Sequence, residues 1–464
     1  MNPTSSSDQQ ARSNPVSTDV ERTNDQAQGH RHPESLVTGT FSRFIEIGGL
    51  MGKIGASVIG NSTAGLFRAA TRQQDKALQM WMKNGHRIVD TLGRMKGAAM
   101  KVGQMLSLHD GLLPPEVAQI LSTLQKEAPP VPFSELQATL EQDFPDYRHR
   151  FSDIETEALA SASIGQVHRA RLRDGRDVVI KVQYPGIDRV IRSDLSNLKT
   201  MFRMIGSTLF KIDMNIIWSE IQERLLEEID YRNELRNQTR FQQLFADDDG
   251  IIIPRLYSEH CGAHVLTSEY VPGRTLTDIT GETDAQRNAW GRNLMRIYLK
   301  QIFQHRLLHA DPNAGNYAFL PDGKIAFYDF GNVKQIPDFL IPGYRRLIAA
   351  ALRNDADRIP EILKTMRIHH LDGRPVRTEI ISGYLEIFAP VFRGEYCFGS
   401  DESIVRKVMD LGRSYWFDAF DITFPPDIIF IDRTVGGLLG NLSRIKACAD
   451  WSELMRVHGD PQAY

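Results

Sequence analysis

Apolar positions along this chain change their period several times, and those changes divide it. Residues 1–38 are rich in Ser, Thr, Asn, Gln and Asp and hold no Phe, Trp, Tyr or Ile. Such a segment buries too little apolar surface to offset its ordering entropy, so it is expected to be disordered. Between Ile45 and Gly60 the pattern becomes small and apolar, with Gly48, Gly52, Ala56 and Gly60 at every fourth position. On a helix these make one smooth stripe, suited to a lipid surface, a dimer partner or the protein's own core. The stretch is short and carries Lys53, so it is not expected to span a membrane. Residues 72–108 read as helical, with Lys101 and Gln104 on one face at i and i+3. Pro114-Pro115 and Pro129-Pro130 bracket another short helix.

The pattern then turns to strands. Ala160-Ser161-Ala162-Ser163-Ile164-Gly165-Gln166-Val167 leads through a turn at Asp174-Gly175 to Val178-Val179-Ile180-Lys181-Val182. Helical spacing returns at Ile217, Ile221, Leu225 and Ile229, in a segment that carries Glu228, Asp230 and Glu234. On one continuous helix Asp230 and Glu234 share a face, and Glu228 points roughly 200° away from Asp230. Pro254–Tyr257 and His264–Gly273 read as two strands closing on a Pro-Gly break, a natural hinge between lobes. A helix over 284–305 and a hairpin turn at Pro321–Lys324 follow. From Pro342 onward the pattern is helical, with Trp416, Phe417, Phe420 and Phe424 expected in the core and no chemistry beyond packing. No internal repeat appears.

Composition adds bounds. A chain of 464 residues, 41% hydrophobic, can bury a large core in two or three lobes. Lys+Arg 55 against Asp+Glu 58 leaves no basic field for nucleic acid. Cys261, Cys397 and Cys448 are scattered, which predicts neither a disulfide framework nor a metal site and fits a reducing compartment. There is no run of eighteen apolar residues and no secretory h-region, so neither a spanning helix nor export is expected. Asp8, Asp19, Glu21 and Asp25 sit poorly with an acid-poor mitochondrial transit peptide.

The chemistry concentrates in His309-Ala310-Asp311-Pro312-Asn313-Ala314-Gly315-Asn316 and Asp329-Phe330-Gly331. An Asp, an Asn five positions later and a DFG triplet repeat the order of parts in a protein-kinase phosphoryl-transfer site. There the Asp takes the nucleophile's proton, while the Asn and the DFG Asp offer hard oxygens to Mg²⁺. A small-residue loop before a strand lysine, Lys181, matches the kinase hairpin that covers phosphates. A helix carboxylate should pair that lysine, but spacing alone does not choose among Glu228, Asp230 and Glu234.

Lys101-Val102-Gly103-Gln104, the Ala160–Ser163 loop and Glu228-Ile229-Asp230 resemble the KxGQ, Ala-rich-loop and ExD motifs of the UbiB/aarF-domain atypical kinases. The resemblance runs from about residue 40 to beyond Lys446 and is strongest to the ubiquinone-biosynthesis branch. It implies an α+β, bilobal protein-kinase-like fold. A disordered tail (1–38) and a helical KxGQ extension (39–155) would precede an N-lobe (156–272) and a mainly helical C-lobe (273–464). It makes Asp311, Lys181 and Glu234 catalytic, and Asn316 and Asp329 the ligands of Mg²⁺ or Mn²⁺. ATP or ADP would lie against Ala160, Ser161, Ala162, Ser163, Ile164, Val167 and Lys181, with Ser268, Glu269, Tyr270 and Val271 as the adenine hinge. Lys101, Gly103, Gln104, Glu228 and Asp230 would be regulatory, guarding the cleft. Ser161 stands where the family usually has Ala, which bears on nucleotide preference. The implied activity is an ATP·Mg²⁺-dependent kinase or ATPase supporting ubiquinone biosynthesis. The implied place is the cytoplasmic face of a bacterial inner membrane, with the mitochondrial matrix face as second choice. Implied partners are quinone-biosynthesis proteins or lipid intermediates, a phospholipid surface and a second copy of the chain. The competing reading is an ATP-binding pseudokinase scaffold, which ATP hydrolysis by the purified protein would separate from an enzyme.

Overall fold

The computed structural model describes residues 131–162, 164–189, 225–400, 404–415 and 422–459, with isolated positions between 191 and 222. The 1–38 tail, the Gly48-to-Gly60 stripe, Lys101, Gly103, Gln104, Ser163, Ile217, Ile221, Trp416, Phe417 and Phe420 lie outside them.

Helix α1 (Phe133–Asp143) and a single turn α2 (Tyr147–Arg150) lead into strands β1 (Phe151–Ile154), β2 (Ala160–Ser161), β3 (Gly165–Leu172) and β4 (Asp177–Gln183). Helix α3 (Tyr231–Leu244) follows, then β5 (Ile251–Ile252) and β6 (Val265–Glu269). An antiparallel sheet runs β1-β3-β4-β6, with β2 added on β3. It begins at Phe151, ahead of the expected boundary at residue 156.

Alternation along β4 decides where Lys181 goes. Val178, Ile180 and Val182 are fully buried in a core shared with α1, so Val179 and Lys181 must point to the other face. Burying three such side chains is worth several kcal/mol, about 1.5–3 each, whereas a one-residue slip would bury the ammonium instead. Cross-strand register then sets Val167 and Leu266 directly opposite Lys181, and Ser268 opposite Val179. The α1 side is pinned by polar contacts. Gln166 exchanges hydrogen bonds with the Val131 backbone, and Asp143 accepts from the backbone and ring of His264.

In the second lobe, α4 (Asp284–Lys300) buries Trp290, Leu294, Ile297 and Tyr298 and runs on as a π turn to His305. Strand β7 (Leu307–His309) pairs with β10 (Val333–Gln335). Between them β8 (Tyr317–Phe319) and β9 (Ile325–Phe327) form the expected hairpin, and β5 joins β9 in parallel. Helices α5 (Leu340–Arg353), α6 (Ile359–Thr365), α7 (Thr378–Phe392), α8 (Ile404–Ser414), α9 (Pro426–Arg444) and α10 (Trp451–Arg456) build the rest. Short pairs β11 (His369–His370) with β13 (Ile422–Thr423), and β12 (Glu395–Cys397) with β14 (Cys448–Asp450), join their ends. This is the expected α+β arrangement: a small sheet lobe and a mainly helical one.

Three expectations are corrected. The helix pattern through Glu228 and Glu234 is not continuous. It breaks at Ile229 and Asp230, where Asp230 has φ −113° and its carboxylate caps α3 by accepting from the Arg232 N–H. Glu228 and Glu234 therefore do not share one helical wheel. Phe424 is not core but 42% exposed. Cys397 and Cys448 form a disulfide, sitting directly opposite each other on β12 and β14 although 51 residues apart in sequence. Cys261 stays a free thiol, pushed up to about 11 by burial.

One charge cluster ties the loop after α3 to α4. Asp248 accepts two hydrogen bonds from Arg296 and one from Lys300, at 2.6–2.7 Å. Burial opposes ionisation, but those two cations hold its carboxyl far below the usual range. A carboxyl depressed on folding adds stability above its unfolded value, and that stability is lost as pH falls through the folded one. Asp248→Asn should therefore cost about 3 kcal/mol at pH 7 in denaturant melts. The gap from wild type should close as pH falls below about 4.

Candidate nucleotide site

Helix α3 delivers one carboxylate to the sheet. Its buried positions are Tyr231, Glu234, Gln238 and Phe241, an i, i+3, i+4 stripe with an acid inside it. Glu234 is 4% exposed, and Lys181 Nζ donates to both its oxygens at 2.9 and 2.8 Å. The same ammonium lies 3.0 Å from Asp329 Oδ2 and over the Tyr231 ring. Burial alone would lower the lysine's pKa, but Asp329 and Glu234 overcome it and hold the value well above ordinary. Lys181 is thus a fixed cation bridging two acids. The loop ahead of β3 is shaped by Gly165, where a Cβ would meet the Val182 carbonyl at 2.3 Å. Ala162 closes the turn onto the Gly165 carbonyl.

The catalytic-type stretch is assembled by the β7–β10 and β8–β9 pairs, which bring two loops to one edge. Ala310 N–H donates to the Asn332 carbonyl, and Asn332 returns a bond to the Ala310 carbonyl. Tyr328 N–H reaches the Asn316 carbonyl. Buried His309 points Nε2 at the carbonyls of Tyr328 and Asp329, 3.0 and 2.9 Å away, which fixes the proton on that nitrogen. Phe330 fills the space beneath, against His309 and Phe241. Asp329 has φ +53°, a left-handed conformation rare outside glycine, and its Oδ1 accepts from Gly331 N–H.

Asn316 donates its Nδ2 to the Asp311 carbonyl, and its amide oxygen is an acceptor. Asn316 and Asp329 are the hard-oxygen donors here, and no cluster of three or more acidic, His or Cys ligands exists among the described residues. Two protein oxygens completed by phosphate and water are how Mg²⁺ is usually held, so the donor set fits it as a nucleotide-borne ion.

Ala160, Ser161, Ala162, Ile164, Val167, Lys181, Ser268, Glu269, Tyr270, Val271, Asp311, Asn316 and Asp329 all line one cavity of about 1800 Å³. At the hinge Tyr328 donates to the Val271 carbonyl at 2.7 Å. The N–H groups of Glu269 and Tyr270 are taken by Arg255 and Asp177, leaving Val271 N–H without a partner among the described residues. Glu228 lines the cavity and Glu234 is the lysine's partner, whereas Asp230 is spent on the helix cap.

Several residues here escaped the sequence reading. Asn237, one turn past Glu234, donates to the Phe330 carbonyl and ties α3 to the DFG turn. Helix α9, expected only to pack, holds the Asp311 loop from behind. Arg433 donates to the Ala310 carbonyl at 3.1 Å and Asn441 to the Pro312 carbonyl at 2.9 Å. Gly437 lets Pro312 seat on the helix, since a Cβ there would meet Pro312 Cγ at 2.3 Å. Gly437→Val should lift the loop and lower ATP turnover more than it lowers melting temperature, readable from activity and melts on the same samples. Equal loss of both would make Gly437 merely structural.

A small antiparallel sheet lobe, a helical lobe and a lysine–glutamate pair facing Asp, Asn and DFG define a protein of the kinase-like class. The family profile described as ABC1 atypical kinase-like domain matches residues 123–363, and the chain belongs to that family. Among curated relatives, the probable serine/threonine-protein kinase abkA of Dictyostelium discoideum is 29% identical over 75% of this chain. The match spans 64% of that relative's own length, just under two thirds. Atypical kinase COQ8B, mitochondrial, of Rattus norvegicus is 29% identical over 80% of this chain and 71% of its own. Atypical kinase COQ8, mitochondrial, of Saccharomyces cerevisiae is 29% identical over 78% and 72%. The solved complex of Rv3197 with erythromycin from Mycobacterium tuberculosis superposes with TM-score 0.60 at 26% identity, over 82% of this chain and 97% of that one.

Proposed function

We propose that this chain is an ATP- and Mg²⁺-dependent atypical kinase or ATPase supporting ubiquinone synthesis at a membrane surface. The observation that carries the reading is Lys181, held between Glu234 and Asp329 in a cavity that also receives Asp311 and Asn316. In this reading Lys181 binds nucleotide phosphates, Glu234 holds it in place, and the Ala160–Ile164 loop excludes water from above. Val271 N–H meets the base. Asn316 and Asp329 would hold Mg²⁺, which supplies neutralisation of phosphate charge when bound. Asp311, at the cleft side of the loop braced by α9, accepts the proton of the attacking hydroxyl or water.

The quinone assignment is supported by the family and by relatives named COQ8. Deleting the gene in its source organism and measuring isoprenoid quinone tests it. Quinone should fall and return with wild-type chain but not with Asp311→Asn; unchanged quinone in the deletion would sink the assignment. Membrane contact is carried by sequence alone, through Gly48, Gly52, Ala56 and Gly60. No helix among the described residues is long and apolar enough to cross a membrane. Full-length protein should float with liposomes and a 40–62 deletion should not. Guarding of the cleft by Lys101, Gly103 and Gln104, with Glu228 or Asp230 as the partner of Lys101, belongs to the same proposal.

A further inference from the structure

The hinge offers a base fewer groups than its length suggests. Both of its ends are fixed by the strands they leave. Tyr270 N–H donates to the Asp177 carbonyl at the start of β4, with the Arg169 guanidinium 4.3 Å over the Tyr270 ring. Arg274 and Phe319 exchange backbone hydrogen bonds at 3.1 and 2.9 Å, which ties the far end to β8. Gly273 permits that approach, since a Cβ there would meet Ala318 Cβ at 2.5 Å. Between these points Pro272 has no N–H to give. The Val271 carbonyl is already engaged, because it accepts from the Tyr328 hydroxyl at 2.7 Å.

Tyr328 is placed for this by the strand before it. It follows β9, directly ahead of Asp329, and its N–H is held by the Asn316 carbonyl. Its side chain lines the cavity and joins the DFG side to the hinge. Burial pushes the hydroxyl up to about 12, so at neutral pH it keeps its proton and is the donor in this bond.

What remains for a base is an ordered set of groups. Val271 N–H is a donor without a partner among the described residues, and the carbonyl of the same residue is taken. Adenine presents an acceptor at N1 beside a donor amine, so N1 can take Val271 N–H while the amine turns back toward the Glu269 carbonyl. Guanine and hypoxanthine present the reverse, an acceptor oxygen beside an N1–H donor. Their oxygen can take Val271 N–H only if N1–H then meets the Val271 carbonyl. A carbonyl oxygen has two lone pairs, so Tyr328 biases against that pose without forbidding it.

We propose that Tyr328 sets the base specificity of this site, selecting ATP over the 6-oxopurine nucleotides GTP and ITP by occupying the Val271 carbonyl. The proposal rests on the nucleotide reading and adds to it which purines are accepted. The same bond joins the hinge to the residue before Asp329. Adenine can therefore bind without disturbing the DFG turn, whereas an oxopurine must share or break that bond.

The test titrates the full chain with ATP, GTP and ITP, each with Mg²⁺, by displacement of a fluorescent ATP analogue. Wild type should bind ATP at least about tenfold tighter than either oxopurine nucleotide. Tyr328→Phe keeps the ring and removes only the hydroxyl. It should tighten GTP and ITP about 3–10-fold while ATP moves by less than about twofold, and that retained ATP affinity reports a folded cleft. Tyr328→Leu also lacks the hydroxyl and should shift the ratio the same way, so the test does not hang on one variant. An unchanged ratio in both variants would overturn the proposal. Equal tightening of all three nucleotides would overturn it too, since the phenol would then merely be in the way. Wild type that binds ATP but keeps its ratio in the variants removes this inference alone, whereas wild type that binds none of the three removes the nucleotide reading as well.

Discussion

Asp329→Asn is expected to lower ATP hydrolysis by about 10²–10³-fold while leaving the melting temperature nearly unchanged. Asparagine keeps the shape of the side chain and tolerates the left-handed backbone at φ +53°, where alanine would add strain. Its amide still offers an oxygen to Gly331 N–H, as Asp329 Oδ1 does at 3.1 Å. What disappears is the negative charge, on which both the Lys181 contact and a hard-cation site depend. Turnover in the variant within a few-fold of wild type would mean Asp329 only shapes a turn.

Lys181→Met is expected to abolish detectable ATP binding and to cost about 3 kcal/mol of stability. The stability loss comes from leaving Glu234, 4% exposed, beside Asp329 with no cation between them. The two effects can be separated. Lys181→Met combined with Glu234→Leu removes both buried charges, so it should recover most of the stability and none of the binding. Denaturant melts and nucleotide titrations on the three proteins check this. Recovery of binding in the double variant would mean Lys181 acts only as a counter-ion for Glu234.

Much of this site was legible because its chemistry is local in sequence. Asp311, Asn316 and the DFG turn sit within about twenty residues of one another, and hairpin pairing does the rest. Lys181 was legible from the small-residue loop before it and the catalytic motifs after it, and alternation in β4 explains its placement, since Val178, Ile180 and Val182 commit the opposite face to the core. The partner carboxylate was not legible from spacing, because the pattern runs as one helix where there are two; the family resemblance alone pointed to Glu234, and the Lys181 pair bears it out. Restarting the pattern at Tyr231 would have put Glu234 in a buried stripe with Gln238 and Phe241, a signal that a solvated acid cannot give.

Long-range pairings were illegible for a simpler reason. Nothing local to Arg433, Asn441 or Cys448 records that the chain returns to Ala310, Pro312 or Cys397. Phe424 is exposed because aromatic content in an apolar stretch does not by itself bury a side chain; only a neighbour's position decides that.

The most direct test of the nucleotide reading is phosphate release from ATP by the purified full chain, titrated with Mg²⁺ against excess EDTA. Hydrolysis should appear with Mg²⁺ or Mn²⁺, vanish in EDTA and be lost in Asp329→Asn. Phosphate release that is equal with and without metal, or equal in wild type and variant, would contradict it.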